Sequence, residues 1–163
     1  MKTIIATALI CMSCAGVNVV QVQSEKAAST GWYYENGQVV TTEHGHGDSI
    51  VKAVSQNGYE SGELMPQIRL AEDVMSYGPT SHKEKRCYTD AEAGDLVTVS
   101  TLRGPIRTSV VESNYYAVVL KRKLLPGDSG SPVTKRGCII GVAQSVTVDR
   151  TIVVKVRSIS ERK

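Results

Sequence analysis

The sequence predicts an all-β protein, a sandwich or a barrel. Short runs rich in Val, Ile and Thr recur along it, turn residues separate them at close intervals, and helical periodicity is weak throughout. At 163 residues it is one domain by length, or two very small ones sharing a site. Hydrophobic residues make up 41%, but Phe is absent and Trp occurs once, so the core has to come from Val, Ile, Leu and Ala. A net charge of +3, without a basic stripe interleaved with aromatics, gives no reason to expect nucleic-acid binding. The composition is not that of a disordered chain.

Residues 1–24 read as a signal peptide. Lys2 supplies the positive start, residues 4–15 form an apolar run of h-region length, and small residues follow, with cleavage expected after Ala15 or after Ser24. Asn18, Gln21 and Gln23 interrupt any extension to a membrane span, so no stable membrane insertion is expected once the leader is removed. Two other readings stand beside it: a lipoprotein anchored through Cys14, although Cys11-Met12-Ser13 fits a lipobox poorly, and a buried N-terminal strand. Export makes the protein secreted or periplasmic. It leaves Cys87 and Cys138 either as a disulfide closing a loop of about fifty residues in an oxidising compartment or as two separate buried thiols.

A first β-unit is expected over residues 25–78. Residues 25–31 read as a loose polar arm, and 32–34 and 38–42 as strands joined at Asn36-Gly37. Residues 49–54 alternate with period two, and 67–70 and 74–77 are short strands. Residues 79–92 carry Pro79 and the charged run from His82 to Arg86, and form the connection. A second β-unit spans 93–158, with strands at 95–100, 106–111, 115–120, 138–144 and 151–156, and 159–163 make a polar tail.

Between these last strands lies Leu125-Pro126-Gly127-Asp128-Ser129-Gly130-Ser131-Pro132. Its glycines permit a tight backbone path on which the N–H groups of Gly127 and Ser129 converge, an oxyanion hole beside the Ser129 hydroxyl. A serine needs a base to act as a nucleophile. His44, His46 and His82 all precede Ser129, which excludes the α/β-hydrolase order, and the first aspartate is Asp48, so a subtilisin order would require the less apt His82. His, then Asp, then Ser remains.

The run Gly127-Asp128-Ser129-Gly130-Ser131-Pro132 closely resembles the active-serine signature of trypsin/chymotrypsin-like serine proteases, with Ser131 where a second glycine is usual. Val39-Val40-Thr41-Thr42-Glu43-His44 resembles the family's histidine segment, and Ala71-Glu72-Asp73-Val74 its aspartate segment. The resemblance covers roughly residues 31–156 and fits the compact viral or bacterial members. It implies two perpendicular antiparallel β-barrels, with His44 and Asp73 from the first and Ser129 from the second in the cleft between them. His44 would be the base, Asp73 its orienting carboxylate and Ser129 the nucleophile of a polypeptide-cleaving enzyme that needs no cofactor and no metal. The family's activating N-terminus has no counterpart after the leader, so Asp128 needs another partner.

The resemblance places Lys123 at the base of the specificity pocket, where its ammonium would repel basic side chains and attract carboxylates. If Lys123 points to solvent instead, Leu124 or Leu125 lies near an apolar pocket. Ala143-Gln144-Ser145-Val146 form the other wall, with Gln144 and Ser145 as substrate contacts. Two rival functions are an inactive protease-like binding module and a zinc hydrolase built on His44-x-His46-x-Asp48.

Overall fold

The computed structural model describes residues 17–144 and 149–157. The first β-unit contains β1 (Val19–Gln23), β2 (Ala28–Tyr33), β3 (Val39–Thr42), β4 (Lys52–Ser55), β5 (Met65–Ala71) and β6 (Val74–Gly78). They form an antiparallel sheet in the order β4-β1-β2-β3-β6-β5. Its two edges meet at one bridge, where Val51 and Leu64 exchange N–H···O bonds of 3.0 and 2.8 Å. The second unit contains β7 (Leu96–Thr101), β8 (Gly104–Ser113), β9 (Ala117–Leu120), β10 (Pro132–Lys135), β11 (Cys138–Gln144) and β12 (Thr151–Lys155). It is a closed barrel in the order β10-β11-β12-β9-β8-β7.

Strand alternation builds three cores from these two units. Val22, Tyr33, Val39 and Leu64 fill the first, and Val99, Val118, Leu120 and Val133 the second. Trp32, Tyr34, Val40, Leu70, Val142 and Val156 form a third. On β2 and β3 the side chains facing the first core (Tyr33, Val39) alternate with those facing the third (Trp32, Val40). The third cluster joins strands of both units.

Two boundaries shift against the sequence reading. Val19–Gln23, inside the segment assigned to the leader, is β1, laddered to β2 on one side and β4 on the other. Residues 28–31 of the supposed loose arm belong to β2, and Ser29 and Thr30 there are buried. Their polarity disguised a strand whose polar groups are satisfied within its sheet and by the second unit: Ser29 Oγ lies 2.5 Å from Thr41 Oγ1, and Thr30 N–H donates to Ser129 O at 3.0 Å. Residues 1–16 and the tail at 159–163 lie outside the described residues.

The connection is tied down at its end. A disulfide joins Cys87 to Cys138 at the start of β11, and Ile139 N–H donates to Cys87 O while Thr89 N–H donates to Ile139 O. Arg86 Nε donates to Tyr33 O at 2.9 Å, fixing the same segment to the first unit.

Candidate active site

His44 follows β3 by two residues, and Asp73 sits in the two-residue turn between β5 and β6, the strand paired with β3. That pairing brings the two together. Asp73 accepts the His44 backbone N–H on Oδ1 at 2.6 Å and lies against the ring Nδ1 with Oδ2 at 2.5 Å. An Nδ1–H donated to the carboxylate leaves Nε2 as the basic nitrogen. Below the turn that carries His44, the Tyr77 hydroxyl donates to Gly47 O at 2.9 Å. Burial, with the Glu43, Asp48 and Asp73 carboxylates nearby, pushes its pKa up to about 12, so it stays a donor. Beside it, Arg69 holds Glu43 through both carboxylate oxygens, at 2.7 and 2.5 Å, which lowers the Glu43 pKa.

The serine segment is a shaped turn. Asp128 N–H donates to Leu125 O at 3.1 Å across Pro126 and Gly127, and Gly127 has φ +91°. Proline at the second position and a positive φ at the third define a type II turn. Among the described residues, neither the Gly127 N–H nor the Ser129 N–H has an acceptor, the condition an oxyanion hole requires. The turn is locked to β11 by Gly130 N–H to Ala143 O (2.8 Å) and Ala143 N–H to Ser131 O (2.9 Å). It is locked to β2 by Thr30 N–H to Ser129 O and Thr30 Oγ1–H to Gly127 O, at 3.0 and 2.8 Å. Gly130 has φ +94°, and a Cβ there would stand 1.9 Å from Thr30 O and 2.7 Å from Thr41 Oγ1, so only glycine fits. Thr41 is three residues before His44, so the serine turn docks at the end of the strand that leads into His44. Among the described residues no hydrogen bond joins the Ser129 hydroxyl to His44; such bonds are often long in ligand-free enzymes and tighten with substrate. Ser131 acts inside the turn, with its hydroxyl donating to Asp128 O at 2.6 Å.

Asp128 has its partner in Arg103, on the turn between β7 and β8, with Nη2 to Oδ2 at 2.6 Å; Leu125 N–H donates to the same oxygen at 2.9 Å. The sequence shows that a partner is needed and does not say which. The carboxylate side chain is 6% exposed and the guanidinium 51%. Breaking a fully buried pair costs about 3–5 kcal/mol, and the half-exposed guanidinium reduces that here. Arg103→Met is therefore expected to lower Tm modestly and turnover more strongly, as the turn loses its hold. Thermal melts beside turnover measure both, and unchanged turnover would remove Arg103 from the site.

His46 does not join His44 in a metal centre. Its Nε2 lies 2.9 Å from Ser29 Oγ and its Nδ1 2.8 Å from Ser24 Oγ, so both ring nitrogens are engaged, and Asp48 is exposed. Among the described residues no group of three His, Cys, Asp or Glu side chains is placed to hold a metal ion. The His46 ring is 1% exposed, and burial, then the proximity of His44, lowers its pKa. An unfolded histidine titrates near pH ~6.5. Below that pH the unfolded chain takes up a proton that the folded chain resists, so this contribution is complete above about pH 6.5 and is lost as pH falls. Melting temperatures followed from neutral to acid pH are expected to fall less steeply in His46→Gln than in the parent. Equal slopes would show that His46 does not set the acid sensitivity.

No family model and no curated protein sequence matches the chain. Solved structures do. An inactive form of Rv3671c from M. tuberculosis H37Rv aligns with a TM-score of 0.70 at 16% identity, covering 89% of this chain and 84% of that one. A human pathogenic astrovirus serine protease aligns at 0.67 and 13%, covering 90% and 93%. The serine endoprotease from Yersinia pestis aligns at 0.65 and 15%, covering 86% and 59%. The fold is that of the chymotrypsin-like serine proteases.

The residues expected to read the substrate fare unequally. Lys123 is exposed. Leu124 is 1% exposed within the second barrel's core, its N–H donating to Thr151 Oγ1 at 3.0 Å, so it is a packing residue. Leu125 is 52% exposed. Gln144 is buried, with Nε2 3.4 Å from the Glu72 carbonyl that precedes Asp73. Ser145 and Val146 lie outside the described residues. Sequence reasoning missed Thr30 and Arg103, which hold the serine turn.

Proposed function

We propose that the chain is a serine endopeptidase in which Ser129 attacks the peptide carbonyl, His44 Nε2 takes its proton and Asp73 steadies the imidazolium. The Gly127 and Ser129 N–H groups receive the oxyanion. Collapse of the tetrahedral species expels the amine, protonated by His44, and leaves an acyl-enzyme that water hydrolyses. The observation that carries this reading is the Asp73 carboxylate holding both the backbone and the ring of His44 at the strand end where the serine turn docks. Secretion belongs to the same reading: the Cys87–Cys138 disulfide suits an oxidising compartment, and no described helix is long and apolar enough to cross a membrane. Cleavage of the leader after Ala15 keeps β1, whereas cleavage after Ser24 removes it, and N-terminal sequencing distinguishes them. The function is tested with a fluorophosphonate probe. Labelling at Ser129, undiminished by a chelator, is expected; no labelling would favour a binding module instead.

A further inference from the structure

With no hydrogen bond between the Ser129 hydroxyl and His44 among the described residues, their separation is set by the turns that carry them. A buried chain of polar side chains runs between those turns. His46, two residues after His44, is 1% exposed, with Nδ1 2.8 Å from Ser24 Oγ and Nε2 2.9 Å from Ser29 Oγ. Ser29 Oγ lies 2.5 Å from Thr41 Oγ1, and Thr41 Oγ1 lies 2.8 Å from Thr30 O. Thr30 grips the serine turn: its N–H donates to Ser129 O and its hydroxyl to Gly127 O, at 3.0 and 2.8 Å. At the other end the His46 N–H donates to Glu43 O at 3.1 Å, closing the turn that presents His44.

Counting protons gives this chain a direction. A carbonyl only accepts, so the single proton of the Thr41 hydroxyl goes to Thr30 O. Thr41 Oγ1 must then accept from Ser29, and Ser29, its own proton used, accepts from His46 Nε2–H. Burial, and then the proximity of His44, lowers the His46 pKa and favours the neutral ring. A neutral ring with its proton on Nε2 leaves Nδ1 as an acceptor, and the Ser24 hydroxyl fills it. Ser24 Oγ in turn accepts the N–H groups of Lys26 and Ala27, each at 3.3 Å. The Tyr77 ring packs edge to face on the imidazole, with centroids 6.4 Å apart. Each proton along Ser24, His46, Ser29 and Thr41 thus has one destination. An apolar side chain at a middle position would leave a buried donor or acceptor unpaired.

We propose that His46, as its Nε2–H tautomer, is a positioning residue for the candidate catalytic pair, fixing the turn of His44 against the turn of Ser129 through Ser29, Thr41 and Thr30. What the pair does rests on the endopeptidase reading. His46 itself touches no reacting atom.

The test is made on the full chain. In a nitrogen-resolved NMR spectrum of the histidine rings at neutral pH, His46 is expected to carry its proton on Nε2, and a neutral ring protonated on Nδ1 overturns the proposal. His46→Leu removes the donor, whereas His46→Gln puts an amide N–H near the place of Nε2–H. Counted per site labelled by a fluorophosphonate, His46→Leu is expected to lower kcat about ten- to a hundred-fold at nearly constant KM, and His46→Gln to stay within about three-fold of the parent. Ser29→Ala, which removes the acceptor and keeps His46, is expected to lower kcat in the same way and serves if His46→Leu does not fold. A lower Tm with kcat per labelled site unchanged, or His46→Gln no better than His46→Leu, overturns the proposal and leaves His46 a packing residue. A parent that neither labels nor cleaves peptides overturns the endopeptidase reading instead. The backbone amide signals of Gly127 and Ser129 then decide on His46. Signals that shift in His46→Leu or Ser29→Ala and return in His46→Gln support its hold on the serine turn, and signals that stay in place overturn it.

Discussion

Ser129→Ala is expected to reduce peptide turnover by about a million-fold while leaving the melting temperature where it was. The two halves of this expectation come from different atoms. The turn is held by main-chain groups and neighbouring side chains: Thr30 N–H on Ser129 O, Gly130 N–H on Ala143 O, the Ser131 hydroxyl on Asp128 O and Arg103 on the Asp128 carboxylate. None of these uses the Ser129 hydroxyl, so its removal deletes no bond that shapes the turn. On the proposed mechanism the chemistry loses its nucleophile entirely, and what remains is the rate that the oxyanion hole and substrate binding support, about a thousand- to ten-thousand-fold over water. Circular dichroism and thermal melts beside peptide cleavage separate the two. A large fall in Tm would make the hydroxyl structural, and cleavage near the parent rate would place the nucleophile elsewhere.

The parts of the site legible in the sequence were those whose chemistry is local. The glycines around Ser129 signal a tight turn, and Gly127 takes φ +91° in one. His44 and Asp73 are marked in the sequence by the resemblance of residues 39–44 and 71–74 to the family's segments, and the pairing of β3 with β6 brings the two together. What the sequence hid depends on partners far along the chain. Ser29 and Thr30 look like a linker until Thr41, His46 and the serine turn supply their hydrogen bonds, and then they are the inside of a strand. Arg103 is one cation among many until the fold sets it against Asp128, twenty-five residues on. His46, which the sequence also offers as a zinc ligand beside His44, is buried, with Ser29 and Ser24 hydrogen-bonded at its two ring nitrogens.

Asp73→Asn is expected to cost about ten-thousand-fold in turnover with little loss of stability, and the backbone explains why asparagine is the right replacement. Asp73 has φ +59°, in the left-handed region that most residues with a side chain avoid and that Asn and Asp tolerate. Asparagine therefore keeps the turn between β5 and β6, and its carbonyl still accepts the His44 backbone N–H now on Oδ1. Its NH2 then faces the ring nitrogen that met Oδ2 and donates to it, which makes Nδ1 the acceptor and puts the proton on Nε2. The base then holds its hydrogen where it needs its lone pair, and the imidazolium loses the carboxylate that stabilised it. Asp73→Ala would confuse the result, since it adds the left-handed strain of a residue with no local hydrogen bond and frees the His44 N–H as well, so Tm should drop along with turnover. The contrast between the two variants is the measurement. Asparagine with an intact melt and collapsed turnover assigns the carboxylate to catalysis, whereas asparagine at near-parent turnover would reduce Asp73 to a clamp on the backbone of His44.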